Sequence, residues 1–207
     1  MGLETFVFEK TSIDGLILVK PQIFTDGRGL LIKTFEQEVF WSNNVPLEPT
    51  EELFSNSGKG VLRGIHFQRR FCQDKLIRVP AGAVYDVAVD LRFGSPTFGR
   101  WEGFYLTDAN QHMLYLPQGF AHGFLSLKEN SVLHYLCGGK YDPDSEDGIA
   151  WDDPTLAIQW PLDLVERVIL SKRDRGFGSI ADFGEGIQLD GNGLETQGEG
   201  GRSGCES

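Results

Sequence analysis

Four histidines, His66, His112, His122 and His134, are the side chains of this chain best suited to moving a proton near neutral pH. Two of them sit among other functional groups. His66 lies in V-L-R-G-I-H-F-Q (Val61 to Gln68), with Arg63 and Gln68 close by and Lys75 after a short loop. His122 lies in G-F-A-H-G-F (Gly119 to Phe124), between glycines that let backbone approach a ligand. Imidazoles beside cations suit a small anionic substrate and a proton transfer. They do not read as a metal site, because the sequence has no H-x-H or H-x-x-x-H pair; it has no Gly-rich phosphate loop either. The competing reading of His66 is structural, an imidazole satisfied by a backbone carbonyl at a strand end.

The elements that must position these groups are short. Apolar runs rich in β-branched and aromatic residues recur at Gly15 to Pro21, Leu30 to Phe35, Asp74 to Val79, Ala83 to Leu91, His112 to Pro117 and Ser131 to Leu136. Turn clusters such as T-D-G-R-G, V-P-A-G-A and G-S-P-T-F-G separate them. Short strands with regular turns predict an all-β sandwich or barrel. One helix is expected around F-E-Q-E-V-F-W, and a short one near Asp163 to Val168. In A-V-Y-D-V-A-V-D-L the period of two puts Asp86, Ala88 and Asp90 on one face. Such a face meets water or lines a polar cavity, and the pattern alone favours water. Asp152 and Asp153, before Pro154, read as turn residues.

Composition narrows the partners. With 207 residues and 40% hydrophobic content the chain can bury a core. A formal charge of -11 argues against nucleic acid. Cys72, Cys137 and Cys205 form no disulfide or zinc pattern. No apolar run would span a bilayer, and the N-terminus lacks a signal-peptide pattern. A soluble cytoplasmic protein is expected. The body should be one domain over residues 1–188, and the Gly-rich stretch 189–207 a disordered tail.

Seven motifs in register resemble the dTDP-4-dehydrorhamnose 3,5-epimerase family. They are V-L-R-G-I-H-F-Q, Q-D-K-L-I-R-V, V-Y-D-V-A-V-D-L-R, S-P-T-F-G-R-W, L-P-Q-G-F-A-H-G-F, W-D-D-P-T-L-A-I-Q-W-P and L-S-K-R-D, from about Asp14 to Asp174. The resemblance implies a cupin-type jelly roll, a double-stranded β-helix with short peripheral helices, usually a homodimer. It implies a cofactor-free epimerase of a nucleotide-linked 4-keto-6-deoxy hexose, serving deoxysugar or L-rhamnose biosynthesis. It places the general base on His66, its supporting aspartate on Asp174, and the opposing acid on Tyr135, eight residues before Pro143. Lys75 and Arg63 fall near the substrate, and Arg28 of D-x-R-G resembles an arginine that reaches a neighbouring subunit's site. Gln68, His122 and Phe24 join the expected substrate-binding set. Taken without the resemblance, Tyr135 reads as a core tyrosine and Asp174 as a turn cap.

The chain departs from the family at the nucleotide-facing positions. Lys33 stands where a glutamate is usual, Glu51-Glu52-Leu53-Phe54-Ser55 where Q-D-N-H-S is usual, and Lys140 where an aromatic is frequent. Lys33 and Glu51 would compensate if they faced each other. Two further readings stand beside the thymidine-linked 3,5-epimerase. One is a 3- or 5-epimerase of another nucleotide sugar, such as a CDP-linked one; the other is an idle sugar-nucleotide-binding barrel.

Overall fold

Turn residues cut the chain into short runs, and the computed structural model, which describes residues 5–70, 72–184 and 186, shows thirteen of them as strands. In chain order these are β1 (Phe6–Lys10), β2 (Ile17–Pro21), β3 (Ile23–Asp26), β4 (Gly29–Ile32), β5 (Pro49–Ser57), β6 (Leu62–Gln68) and β7 (Lys75–Ala81). They continue with β8 (Ala83–Asp90), β9 (Trp101–Thr107), β10 (Met113–Leu116), β11 (Phe120–Ser126), β12 (Ser131–Gly138) and β13 (Glu146–Gly148). A six-stranded sheet has the order β1-β2-β10-β7-β12-β5 and a five-stranded sheet the order β13-β6-β11-β8-β9. All pairings between these strands are antiparallel, and the two sheets form a cupin-like jelly roll. β3 and β4 pair with each other as a separate two-stranded arm.

Three apolar clusters hold this arrangement. The first, with Ile77, Val79, Val84, Ala88, Leu106, Leu114, Phe124 and Leu133, fills the space between the sheets. The second lies on the outer face of the five-stranded sheet, where Leu156, Ile158, Trp160 and Ile180 of the C-terminal segment cover Phe67, Val87 and Val89. The third covers the outer face of the six-stranded sheet with helix α1 (Gln37–Ser42). Phe40, fully buried, is the centre of that cover, with the rings of Phe6, Phe8 and Phe35 at 5.0, 5.2 and 4.9 Å. Offset and edge-on aromatic contacts of this kind add to the burial of ring area.

The expected helix is present, one turn and a half long. The second one shrinks to a 3₁₀ turn at Leu162–Leu164, because the segment lacks a full apolar face. Asp153 is a turn residue, as expected, and more than that. It is 2% exposed and accepts from the amides of Thr155, Leu156 and Ile180 and from Ser179 Oγ, so it pins the C-terminal cover to the W-D-D-P turn. The segment 189–207 lies outside the described residues.

Asp86 and Asp90 do not meet water. Both are fully buried, because the face they share with Ala88 is the interior of the sandwich. Asp90 is closed by Arg92, Ser95 and Thr97, all hydrogen-bonded to it. Burial raises its carboxyl, but those bonds outweigh burial and hold it below the usual carboxylate range.

Candidate active site

A cavity of about 270 Å³ opens between the two sheets at one end of the sandwich. The five-stranded sheet contributes Arg63 and His66 from β6, His122 and Phe124 from β11, and Glu146 from β13. The six-stranded sheet faces them with Lys75 from β7, Tyr135 and Cys137 from β12, and Glu51 and Leu53 from β5. Gln73 and Tyr141 complete the mouth.

Strict alternation would put Arg63 and His66 on opposite faces, since they are three apart. Both line the cavity because β6 carries a bulge. His66 stands opposite His122 and Arg63 opposite Phe124, so three steps on β6 match two on β11. The bulge needs close approach of the two strands, and glycines permit it. A Cβ on Gly64, whose φ is +124°, would lie 2.5 Å from the Cα of Gly123.

His66 is not satisfied by a backbone carbonyl. Its Nε2 lies 2.8 Å from Oδ1 of Asp174, which sits in a 3₁₀ turn (Asp174–Gly176) and is 4% exposed. Burial raises the Asp174 carboxyl, but the His66 bond and charge, together with Ser171 and Arg173, bring it below the usual range. It is therefore an anion able to fix the imidazole tautomer and to stabilise imidazolium. Phe177 stands edge-on to the His66 ring at 5.6 Å.

His122 forms a second pair, its Nε2 2.8 Å from Asp86 Oδ2. Asp86 Oδ1 is buried with no partner among the described residues. Tyr135 stands edge-on to His122 at 6.0 Å. Its hydroxyl is pushed above the ordinary phenol range by burial, with the Asp86 charge adding to the effect and Arg63 opposing it. It is a neutral donor at physiological pH. On β12 and its neighbours the register sets Lys75, Cys137 and Glu51 side by side across three strands. Arg63 is steadied by Ser57 Oγ at 3.2 Å from its Nε, and Glu51 by Gln73 Nε2 at 3.2 Å.

Of the residues singled out in the sequence, His66, Tyr135, Lys75, Arg63, His122 and Glu51 line this cavity, and Asp174 stands behind His66. Gln68 and Lys140 are not on its wall; Gln68 Nε2 donates to the Lys140 carbonyl at 3.2 Å and ties down the mouth loop. Phe24 and Arg28 lie on the arm, at a groove of their own made by the arm's residues. Arg28 is paired with Asp26 at its tip. Lys33 and Glu51 do not compensate each other within the chain, because the Lys33 ammonium goes to Glu36 at 2.8 Å. Sequence reasoning missed Tyr141 and Glu146, which sit in a polar Y-D-P-D-S-E stretch that reads as loop. It also missed the Asp86 partner of His122. The period-two pattern isolates that aspartate but favours water, and not a histidine, as what it faces.

The family model described as dTDP-4-dehydrorhamnose 3,5-epimerase matches residues 10–182. A protein of that name from Methanothermobacter thermautotrophicus is 45% identical over 177 residues, covering 86% of this chain and 96% of that protein. One from Escherichia coli is 41% identical over 167 residues, covering 80% and 89%. Among solved structures, a dTDP-6-deoxy-D-glucose-3,5-epimerase from Legionella pneumophila in complex with dTDP-4-keto-L-rhamnose superimposes with a TM-score of 0.81. It is 41% identical, with 84% of this chain and 92% of that chain covered. A 3'-monoepimerase from Streptomyces bikiniensis in complex with dTDP-quinovose gives 0.79 at 34% identity, with 87% and 92% covered.

Proposed function

Because the chain belongs to the dTDP-4-dehydrorhamnose 3,5-epimerase family, we propose that it inverts C3 and C5 of a thymidine-diphosphate-linked 4-keto-6-deoxy hexose. The observation that carries this reading is the placement of His66 and Tyr135 on facing sheets of one cavity. A ketone at C4 acidifies the protons on C3 and C5, since the resulting carbanion spreads onto oxygen. Inversion needs a base on one face of the sugar and an acid on the other. His66 accepts the proton, and Asp174 stabilises the imidazolium that forms. Lys75 stabilises the enolate oxygen. Tyr135 returns a proton from the opposite sheet, and the cycle closes as the imidazolium gives its proton to water and the tyrosinate takes one from water. The reaction is redox-neutral, so no nicotinamide is consumed, and the proton transfers need no cofactor.

Arg63, His122 and Glu51 act in substrate binding in this reading, with Gln68 and Lys140 supporting the mouth. The arm supports a homodimer. Leu30 and Leu31 are 58% and 71% exposed, and Phe24 is 40% exposed. An isolated two-stranded hairpin with bare apolar side chains gains stability by packing on another surface. Arg28, Phe24 and Lys33 would then serve the partner's cavity. A cytoplasmic location belongs to the same reading; among the described residues no helix is long and apolar enough to cross a membrane.

The test is incubation with dTDP-4-keto-6-deoxyglucose in deuterated water. Deuterium at both C3 and C5 is the expected result. Deuterium at one carbon would make the chain a monoepimerase, a second reading favoured by the likeness to the S. bikiniensis protein. No incorporation from this or the cytidine-linked substrate would overturn the proposal.

A further inference from the structure

One carboxylate oxygen at the mouth of the cavity has two tasks. Oε2 of Glu146 accepts from Nη1 of Arg173 at 2.8 Å and from the Tyr141 hydroxyl at 2.9 Å. Glu146 opens β13, the strand that pairs Gly148 with His66. Arg173 immediately precedes Asp174, the partner of His66. The Arg173 guanidinium also lies 5.6 Å over the ring of Phe177, which packs edge-on against His66 and fills the space that a side chain at Gly148 would need. Arg173 and Phe177 do not line the cavity, whereas Tyr141 and Glu146 do. Tyr141 is 47% exposed and belongs to the loop after β12. That loop is held at its base by Gln68, through the Lys140 carbonyl.

We propose that Glu146 is a positioning residue that couples the cavity mouth to the general base. Through Arg173 it fixes the turn that presents Asp174 to His66, and through Tyr141 it fixes the loop over the substrate. The inference rests on His66 being the base. Glu146 is an anion in this setting: burial raises its carboxyl, but the bonds from Arg173 and Tyr141 and the nearby charges bring it below the usual range. The charged groups around the imidazole are Asp174 and Arg173 from the turn and Glu146 from β13. His122, held by Asp86, faces it from β11, and Lys75 lines the opposite wall.

Five variants of the full chain separate this role from a plain surface ion pair, with dTDP-4-keto-6-deoxyglucose as substrate and deuterium incorporation as readout. Glu146→Gln keeps an acceptor for Tyr141 but loses the charge that holds Arg173. It should lower kcat about tenfold or more, the scale expected when a reacting group is misplaced by a fraction of an ångström to an ångström. Arg173→Met should lower kcat similarly, and the double variant should be no worse than either single one. The acid limb of kcat/KM should move to lower pH in Glu146→Gln, which removes an anion near the base. It should move to higher pH in Arg173→Met, which removes a cation. Tyr141→Phe, which frees the loop but leaves Arg173 its carboxylate, should raise KM. Native kcat with an unmoved acid limb in Glu146→Gln, or losses that multiply in the double variant, would overturn the coupling. The fifth variant, His66→Ala, reports on the underlying reading alone. Full exchange there would remove the base assignment whatever Glu146 does.

Discussion

Asp174→Asn is the substitution that most directly tests the dyad. Asparagine keeps the shape of the buried side chain and can still meet the imidazole nitrogen, but it carries no charge. The native contact is 2.8 Å long and Asp174 is 4% exposed, so solvent screens it little. A hydrogen bond to a charged group in such a place contributes about 1.5–3 kcal/mol. If that stabilisation is felt mainly by the imidazolium formed at the transition state, kcat falls by about one to two decades, at about 1.36 kcal/mol per decade. The assay is single-turnover deuterium incorporation followed by mass spectrometry, with melting curves to show that the variant is folded. A second readout comes from acid. The folded Asp174 carboxyl lies below the usual range, where burial is outweighed by His66, Ser171 and Arg173. Its contribution to stability is therefore complete above the unfolded value, about pH 3.9, and is lost as pH falls through the lower folded value. The stability gap between native protein and Asp174→Asn should narrow on acidification through that window. A variant within about threefold of native kcat, well inside the expected loss of a decade, would refute the reasoning, as would a stability gap that is the same at pH 7 and in strong acid.

Tyr135→Phe should separate exchange from inversion: deuterium still washes in at the face served by His66, while epimerised product falls by at least about 10²-fold. Lys75→Met keeps the aliphatic stem and loses the ammonium, and kcat should drop by about 10²–10³-fold, the scale of an oxyanion donor; unchanged turnover would place the enolate charge elsewhere. Co-refolded His66→Ala and Arg28→Ala subunits, each inactive or weak alone, should regain activity together, because one hybrid site has both residues; no recovery would show that the arm does not reach the partner. Phe40→Ala should cost about 3–5 kcal/mol in denaturant unfolding, since the ring is fully buried at the centre of the α1 cover.

The strands that pack on both faces were legible because their apolar runs are dense; Ala83 to Leu91 and Ser131 to Leu136 are examples. Edge strand β5 was not, because P-T-E-E-L-F-S-N-S is mostly exposed and polar, and nothing in its composition distinguishes it from a loop. The residues alone do not show which way Glu51 and Leu53 point, since both owe their direction to pairing with β12; Glu51 stood out only through the resemblance. His66, Arg63 and Lys75 stood out as chemistry-bearing types in short runs. Tyr135 and Asp174 did not, because a tyrosine in V-L-H-Y-L and an aspartate after S-K-R look structural until the resemblance is seen. The buried face of Asp86 was misjudged for a related reason: alternation tells which residues share a face, and not whether water or a second sheet lies over it.

The contact of Gly64 with Gly123 divides the cavity for evolution as well as for packing. The floor, where the two histidine strands touch backbone to backbone, admits no side chain at either position, so sequence drift there removes the bulge and the geometry of both imidazoles together. The rim is built otherwise, from side chains on edge strand β5 and on the mouth loop, where replacements disturb no backbone contact of that kind. Mutational libraries over Glu51, Leu53 and Gln73 should therefore return many folded proteins that differ in which nucleotide they accept. Libraries over the floor should return mostly dead ones. In such a scaffold the nucleotide carried by the sugar is an evolvable trait, and the inversion of a carbon is an inherited one.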